Sequence, residues 1–192
     1  MTDYRLRITD NRFFVCMMAV CLLVLGCQTT PLSRFTDDMY QGRQQLRQRQ
    51  YTSALAFFQE ANRLAPSAGA LAFAAVAAYK MNDIPLADSY LVQAQGQNPD
   101  QIVTCIILGY RSLVRFSQRD EPGGRRELAA YITAYKKLQP GSVSIRDAEL
   151  MAASASIDIY RLQQSIDRQI EELPIDFDRM GEEAGIRDGG KW

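Results

Sequence analysis

The chain has 192 residues, enough for one domain and a targeting segment, with 47% apolar and 23% charged side chains. Lysine and arginine (22) balance aspartate and glutamate (22), so no basic footprint for nucleic acid is present. Histidine is absent, which removes the commonest general base, the commonest metal ligand and every Ser-His or Cys-His pair; no metal site, cofactor or catalytic residue is expected.

Residues 1–12 carry Arg5, Arg7 and Arg12 against Asp3 and Asp10, and residues 13–25 are an unbroken apolar run. As a helix that run measures about 20 Å, short of the roughly 30 Å of a hydrocarbon core, so it reads as the apolar region of a signal peptide. Cys16, Cys21 and Cys27 lie in this segment and only Cys105 lies beyond it, with no CxxC pair for zinc or redox chemistry. The apolar run ends in Val24-Leu25-Gly26-Cys27.

That ending resembles the lipobox of bacterial lipoproteins. The resemblance implies that residues 1–26 are a signal peptide, that Cys27 becomes a lipidated amino terminus, and that 27–34 are its tether. Burial of each CH₂ is worth about 0.8 kcal/mol, so two or more chains hold stably where one is marginal. A signal anchor, or an ordinary signal peptide with a chance cysteine, is the alternative. Gln28 stands where the family places Asp for inner-membrane retention, which implies an outer-membrane address with the domain facing the periplasm.

From 35 onward the chain is expected to be helical and to repeat. Residues 51–66 match residues 84–99, with Ala54, Phe58, Ala61 and Pro66 corresponding to Ala87, Leu91, Ala94 and Pro99. Gly42 corresponds to Ala75 in the preceding helices. Small residues let two helices cross closely, bulky ones fill the gap between units, and proline ends the second helix. A degenerate third unit pairs a helix over 102–116, containing Leu108-Gly109-Tyr110, with one over 127–138. Between them, Pro122 and Gly123-Gly124 predict a charged loop over 119–126, either a docking element or a tolerated insertion. Leu128 and Tyr135 are read as standing where the better units have alanine.

These units resemble the tetratricopeptide repeat, a helix-turn-helix of about 34 residues. The resemblance implies an all-α solenoid over 35–173, about three helical hairpins plus a C-terminal capping helix. That last helix is read from Ser144 to Leu173, with Ile159, Leu162, Ile166, Ile170 and Leu173 as its apolar stripe. Residues 174–192 hold four glycines and scattered charges, and disorder is expected there.

In this family the concave face, lined by the first helix of each unit, holds the partner. Carried onto this chain, it comprises Arg43, Leu46, Arg47, Val76, Tyr79, Lys80 and Tyr110. Tyrosines beside cations suit an extended peptide or a carboxylate-bearing helix, whereas the plainer reading turns the aromatics into the core. The adjacent carboxylates Asp37-Asp38, Glu171-Glu172 and Glu182-Glu183 point about 100° apart and read as solvated surface. Cys105, among Val103, Ile106 and Ile107, reads as a small buried hydrophobe.

The expected function is that of a protein-binding adaptor held at the membrane by its lipid, with no nucleic acid and no small-molecule substrate. Its layout resembles pilotin-like and tight-adherence pilus accessory lipoproteins. An envelope-acting accessory factor or weak carboxylate hydrolase is the alternative, requiring two converging carboxylates with one pKa raised. A self-associating structural module is a third reading.

Overall fold

The computed structural model describes residues 30–186, so the segment holding Cys27 and the last six residues lie outside the described residues. Pro31–Arg47 (α1) pairs with Tyr51–Leu64 (α2), Ala68–Lys80 (α3) with Ile84–Gln95 (α4), and Gln101–Ser117 (α5) with Glu121–Leu138 (α6). Arg146–Ala153 (α7), Ile159–Glu171 (α8) and Phe177–Glu183 (α9) follow. Among the described residues the fold is all-α, a consecutive array of helical hairpins, and no helix is long and apolar enough to cross a membrane.

The repeat is written in the backbone. Each hairpin turn contains one residue in the left-handed region: Arg49 (φ 61°), Asn82 (62°) and Arg119 (62°). The next residue but four is small and buried in every case, namely Ala54, Ala87 and Gly124. Asp83 and Asp120 cap the second helices of their hairpins, each accepting from the backbone N–H three residues on. Ser67 and Asp100 do the same for the first helices of the second and third hairpins.

Hence the expected loop over 119–126 shrinks to Arg119 and Asp120, and 121–126 open α6. Asp120 caps, Pro122 occupies the first turn where its missing N–H costs nothing, and Gly123 and Gly124 are helical. Gly124 is there for closeness: a Cβ would sit 2.6 Å from the Phe116 ring. In this register Gly124 takes the place of Ala54 and Ala87, and Leu128 that of Phe58 and Leu91. Leu128 therefore fills a wedge position and does not replace an alanine. The extra residues of the third unit lie in longer helices, 17 and 18 residues against 13 and 12 in the second.

The helix crossings follow the small residues. A Cβ on Gly42 would meet Phe58 at 2.5 Å, and one on Gly109 would meet Ile166 at 3.0 Å and Tyr131 at 3.1 Å. Helix α3 is buried along almost its whole length, as expected for the middle of the array.

Three boundaries differ from the sequence reading. Residues 31–34 form the first turn of α1 and are not tether. The expected helix from Ser144 to Leu173 is two helices, broken at 154–158 and restarted by the Asp158 cap. Residues 174–186 are ordered: Asp176 caps α9, and Phe177 and Met180 are buried.

Candidate functional site

The first helices α1, α3 and α5 form one face, and α8 lies across it. Helix α8 carries an aliphatic stripe, with Leu162, Ile166 and Ile170 buried. Its acidic residues meet cations of the face. Glu171 Oε2 accepts from Arg47 Nη2 (2.5 Å), Arg47 Nε (3.0 Å) and Arg43 Nη2 (3.2 Å). Asp167 pairs with Lys80 through one oxygen and accepts the Tyr110 hydroxyl through the other at 2.5 Å. Arg43 and Arg47, four residues apart on one face of α1, both converge on Glu171, while Asp167, one turn earlier on α8, reaches α3 and α5.

Deeper, Gln169 is fully buried. Its Oε1 accepts from Tyr131 (2.6 Å), while its Nε2 donates to the Ser144 carbonyl (2.7 Å) and to Ser165 Oγ (2.9 Å). Glu172 accepts from Tyr135 and from Ser144, both at 2.7 Å. Glu171 and Glu172 are both exposed, as expected of solvated surface, yet each also anchors α8 to a different element. Divergence of neighbouring side chains is what allows one to face α1 and the other α6.

Helix α9 covers the other end of the same face. Phe177 packs edge-on against Tyr40 (4.9 Å between centroids) and Phe73 (5.9 Å). A Cβ on Gly181 would lie 2.4 Å from Leu32, and Arg179 pairs with the α5 cap Asp100.

What remains open is a cleft of about 500 Å³. Leu46, Phe73, Val76 and Ile170 give it apolar surface, and Tyr51, Tyr110, Tyr160, Gln163 and Gln164 amphipathic surface. Arg47, Arg49, Lys80, Asp167 and Glu171 supply charge. Arg47 and Lys80 sit in the last turns of α1 and α3, where the helix dipole favours cations. Arg49 makes no ion pair with any described residue. Tyr160 is 69% exposed at the start of α8.

The electrostatics are those of paired groups. Burial works to raise the Glu171 carboxyl, but the guanidinium groups of Arg47 and Arg43 outweigh it and hold it below the usual value. Glu172 is also lowered, chiefly by the Tyr135 and Ser144 hydroxyls. Burial, reinforced by Asp167, pushes the Tyr110 hydroxyl well up, so it stays a neutral donor.

Of the residues assigned to the face by sequence, Leu46, Arg47, Val76, Lys80 and Tyr110 line the cleft together. Arg43 lies under Glu171 with its side chain 12% exposed. Tyr79 belongs to the core: it is buried, its ring edge-on to Tyr110 at 5.6 Å and its hydroxyl 3.3 Å from Ser117. Sequence reasoning missed Arg49, Tyr51 and the whole α8 contribution.

A second hollow of about 530 Å³ lies along α5 and α6, lined largely by Ala129, Ala130, Thr133 and Ala134. Its polar lining is Gln101, Thr104, Thr133 and Lys137, with no carboxylate among them. Among the described residues no group of three or more side chains could hold a metal ion. No family model, no curated protein and no solved structure matches this chain.

Proposed function

We propose that this chain is a lipid-anchored adaptor that binds another protein in the cleft beside α8, in the assembly of an envelope machine such as a pilus or secretion system. One observation carries the reading. The face assigned to partner binding already holds a carboxylate-bearing helix through Arg43, Arg47 and Lys80, and leaves an amphipathic cleft next to it. Apolar grooves flanked by charged groups are a recurring form of site for a partner's helix or extended segment.

The anchor suits that arrangement. Only residues 28–30 separate Cys27 from α1, a reach of at most about 14 Å. Arg47, at the cleft, ends the same helix about 25 Å farther along. Gln28 supports an outer-membrane address, with the domain in the periplasm.

A carboxylate hydrolase is the weaker reading. Asp167 and Glu171 do converge on the cleft, but both are ion-paired, and Glu171 is lowered where a general acid needs raising.

Photo-crosslinking in living cells tests the adaptor reading. A photoreactive residue at Tyr51, which lines the cleft from the start of α2, should give a discrete protein adduct, and one at the exposed Val92 should not. The Tyr51 adduct should weaken sharply in Cys27→Ala. Equal adducts from both positions, or none from either, would overturn it.

A further inference from the structure

The cleft is only part of the cationic face; α8 occupies the rest, seated in the core through Leu162, Ile166 and Ile170 and ringed by polar and ion-paired contacts. Ser165, Asp167, Gln169, Glu171 and Glu172 all make polar contacts, the last four reaching side chains of α1, α3, α5 or α6. Permanent cores exclude charge, whereas surfaces that part and rejoin are polar and ion-paired. The apolar anchors are few and regular, Leu162, Ile166 and Ile170 at steps of four.

The approach to α8 is also held by removable bonds. The stretch 154–158 is irregular, and Arg125 fastens it: Nη1 donates to the carbonyls of Ala152 (3.2 Å) and Ser154 (3.0 Å), and Nη2 to that of Ala155 (3.1 Å). Glu121 holds the guanidinium from behind at 2.7 Å. A single surface side chain from the charged start of α6 therefore latches the segment that leads into α8.

We propose that α8 is a resident stand-in for the partner's own helix, and that a partner helix of the same chemistry takes its seat when the strap lifts at 154–158. The chemistry is explicit in the sequence of α8. The incoming helix carries three aliphatic side chains at four-residue steps, with a carboxylate directly after the second and the third, as in Ile166-Asp167 and Ile170-Glu171. Its first carboxylate meets Lys80 and the Tyr110 hydroxyl, and its second meets Arg43 and Arg47. This inference rests on the adaptor reading and states which partner segment that reading requires.

The probe is a fluorescent synthetic peptide of residues 158–173, added to the mature lipidated chain in detergent micelles and followed by anisotropy. A peptide with Asp167→Lys and Glu171→Lys is the control. The acidic peptide should bind wild type weakly and Arg125→Gln about tenfold more tightly, the scale of losing one charge-assisted contact set at the latch. The reversed peptide should bind neither. Hydrogen exchange checks the opening directly in wild type, with no variant needed: amides of α8 should exchange faster than those of α3, and faster still in Arg125→Gln. Failure of the acidic peptide to bind either form, equal binding of the two peptides, or exchange of α8 only in step with α3 would each overturn the proposal. A Tyr51 adduct in cells with no peptide binding would leave the adaptor reading standing and remove the exchange alone.

Discussion

Glu171 lies 124 positions from Arg47 in the chain, yet its Oε2 sits 2.5 Å from the arginine Nη2 and 3.0 Å from Nε. That contact joins the last turn of α8 to the last turn of the first helix, and with Asp167–Lys80 it closes the face formed by α1, α3 and α5. Any function assigned to that face has to work with, or displace, the chain's own helix.

Acid should loosen this closure. Glu171 and Glu172 both have lowered pKa values in the folded chain, so the folded state binds fewer protons than the unfolded one through their titration. Their stabilisation is present above the ordinary carboxylate value near 4.5 and is lost as pH falls through the lower folded values. Asp38, raised by burial and by Glu60, acts in the opposite sense. Thermal unfolding followed from about pH 6 to about pH 3 should show a falling midpoint, with a shallower fall in Glu171→Gln.

Gly124→Ala should destabilise the fold although it replaces glycine in a helix. Propensity favours alanine by about 1 kcal/mol. The new methyl, however, would lie 2.6 Å from the buried Phe116 ring, and overpacking of that kind costs about 1–3 kcal/mol. Urea unfolding should give a net loss of about 1 kcal/mol; a net gain would mean that Phe116 moves freely.

Two tyrosine-to-phenylalanine changes should separate. Tyr131→Phe removes the donor to Gln169 Oε1, which is fully buried, and should cost about 1–3 kcal/mol. Tyr135→Phe leaves Glu172 with the Ser144 hydroxyl and should cost about 1 kcal/mol or less. Equal losses by urea unfolding would contradict the assigned network.

Cys105 should be inert while the chain is folded. It is fully buried, and burial pushes its thiol up to about 12, so almost no thiolate exists at neutral pH. Maleimide labelling that differs between wild type and Cys105→Ser should appear only in denaturant.

Much of the fold was legible because packing demands leave marks at fixed spacing. Ala54, Ala61, Ala87 and Ala94 are fully buried where the repeat places them, and Phe58 and Leu91 fill the wedges. The third hairpin was misread at Gly123-Gly124, since glycine breaks a solvated helix yet permits one pressed against Phe116. Asp120 followed by Pro122 was the overlooked mark of a helix start.

The site was legible on one side only. Periodicity showed that α8 buries Leu162, Ile166 and Ile170, but an amphipathic stripe does not say what covers it. Gln169 and Ser165 added no hint, because a buried polar side chain is recognised only once its partners are known. Helix α9 was hidden by its charges and glycines, although Asp176 ahead of Phe177 and Met180 is a capped amphipathic turn.

The most direct test of a membrane-held adaptor is palmitate labelling of the full chain and of Cys27→Ala in a Gram-negative host, with membrane fractionation. The account predicts label and outer-membrane residence for wild type and loss of both in the variant. Wild type that takes no label and stays soluble would contradict it.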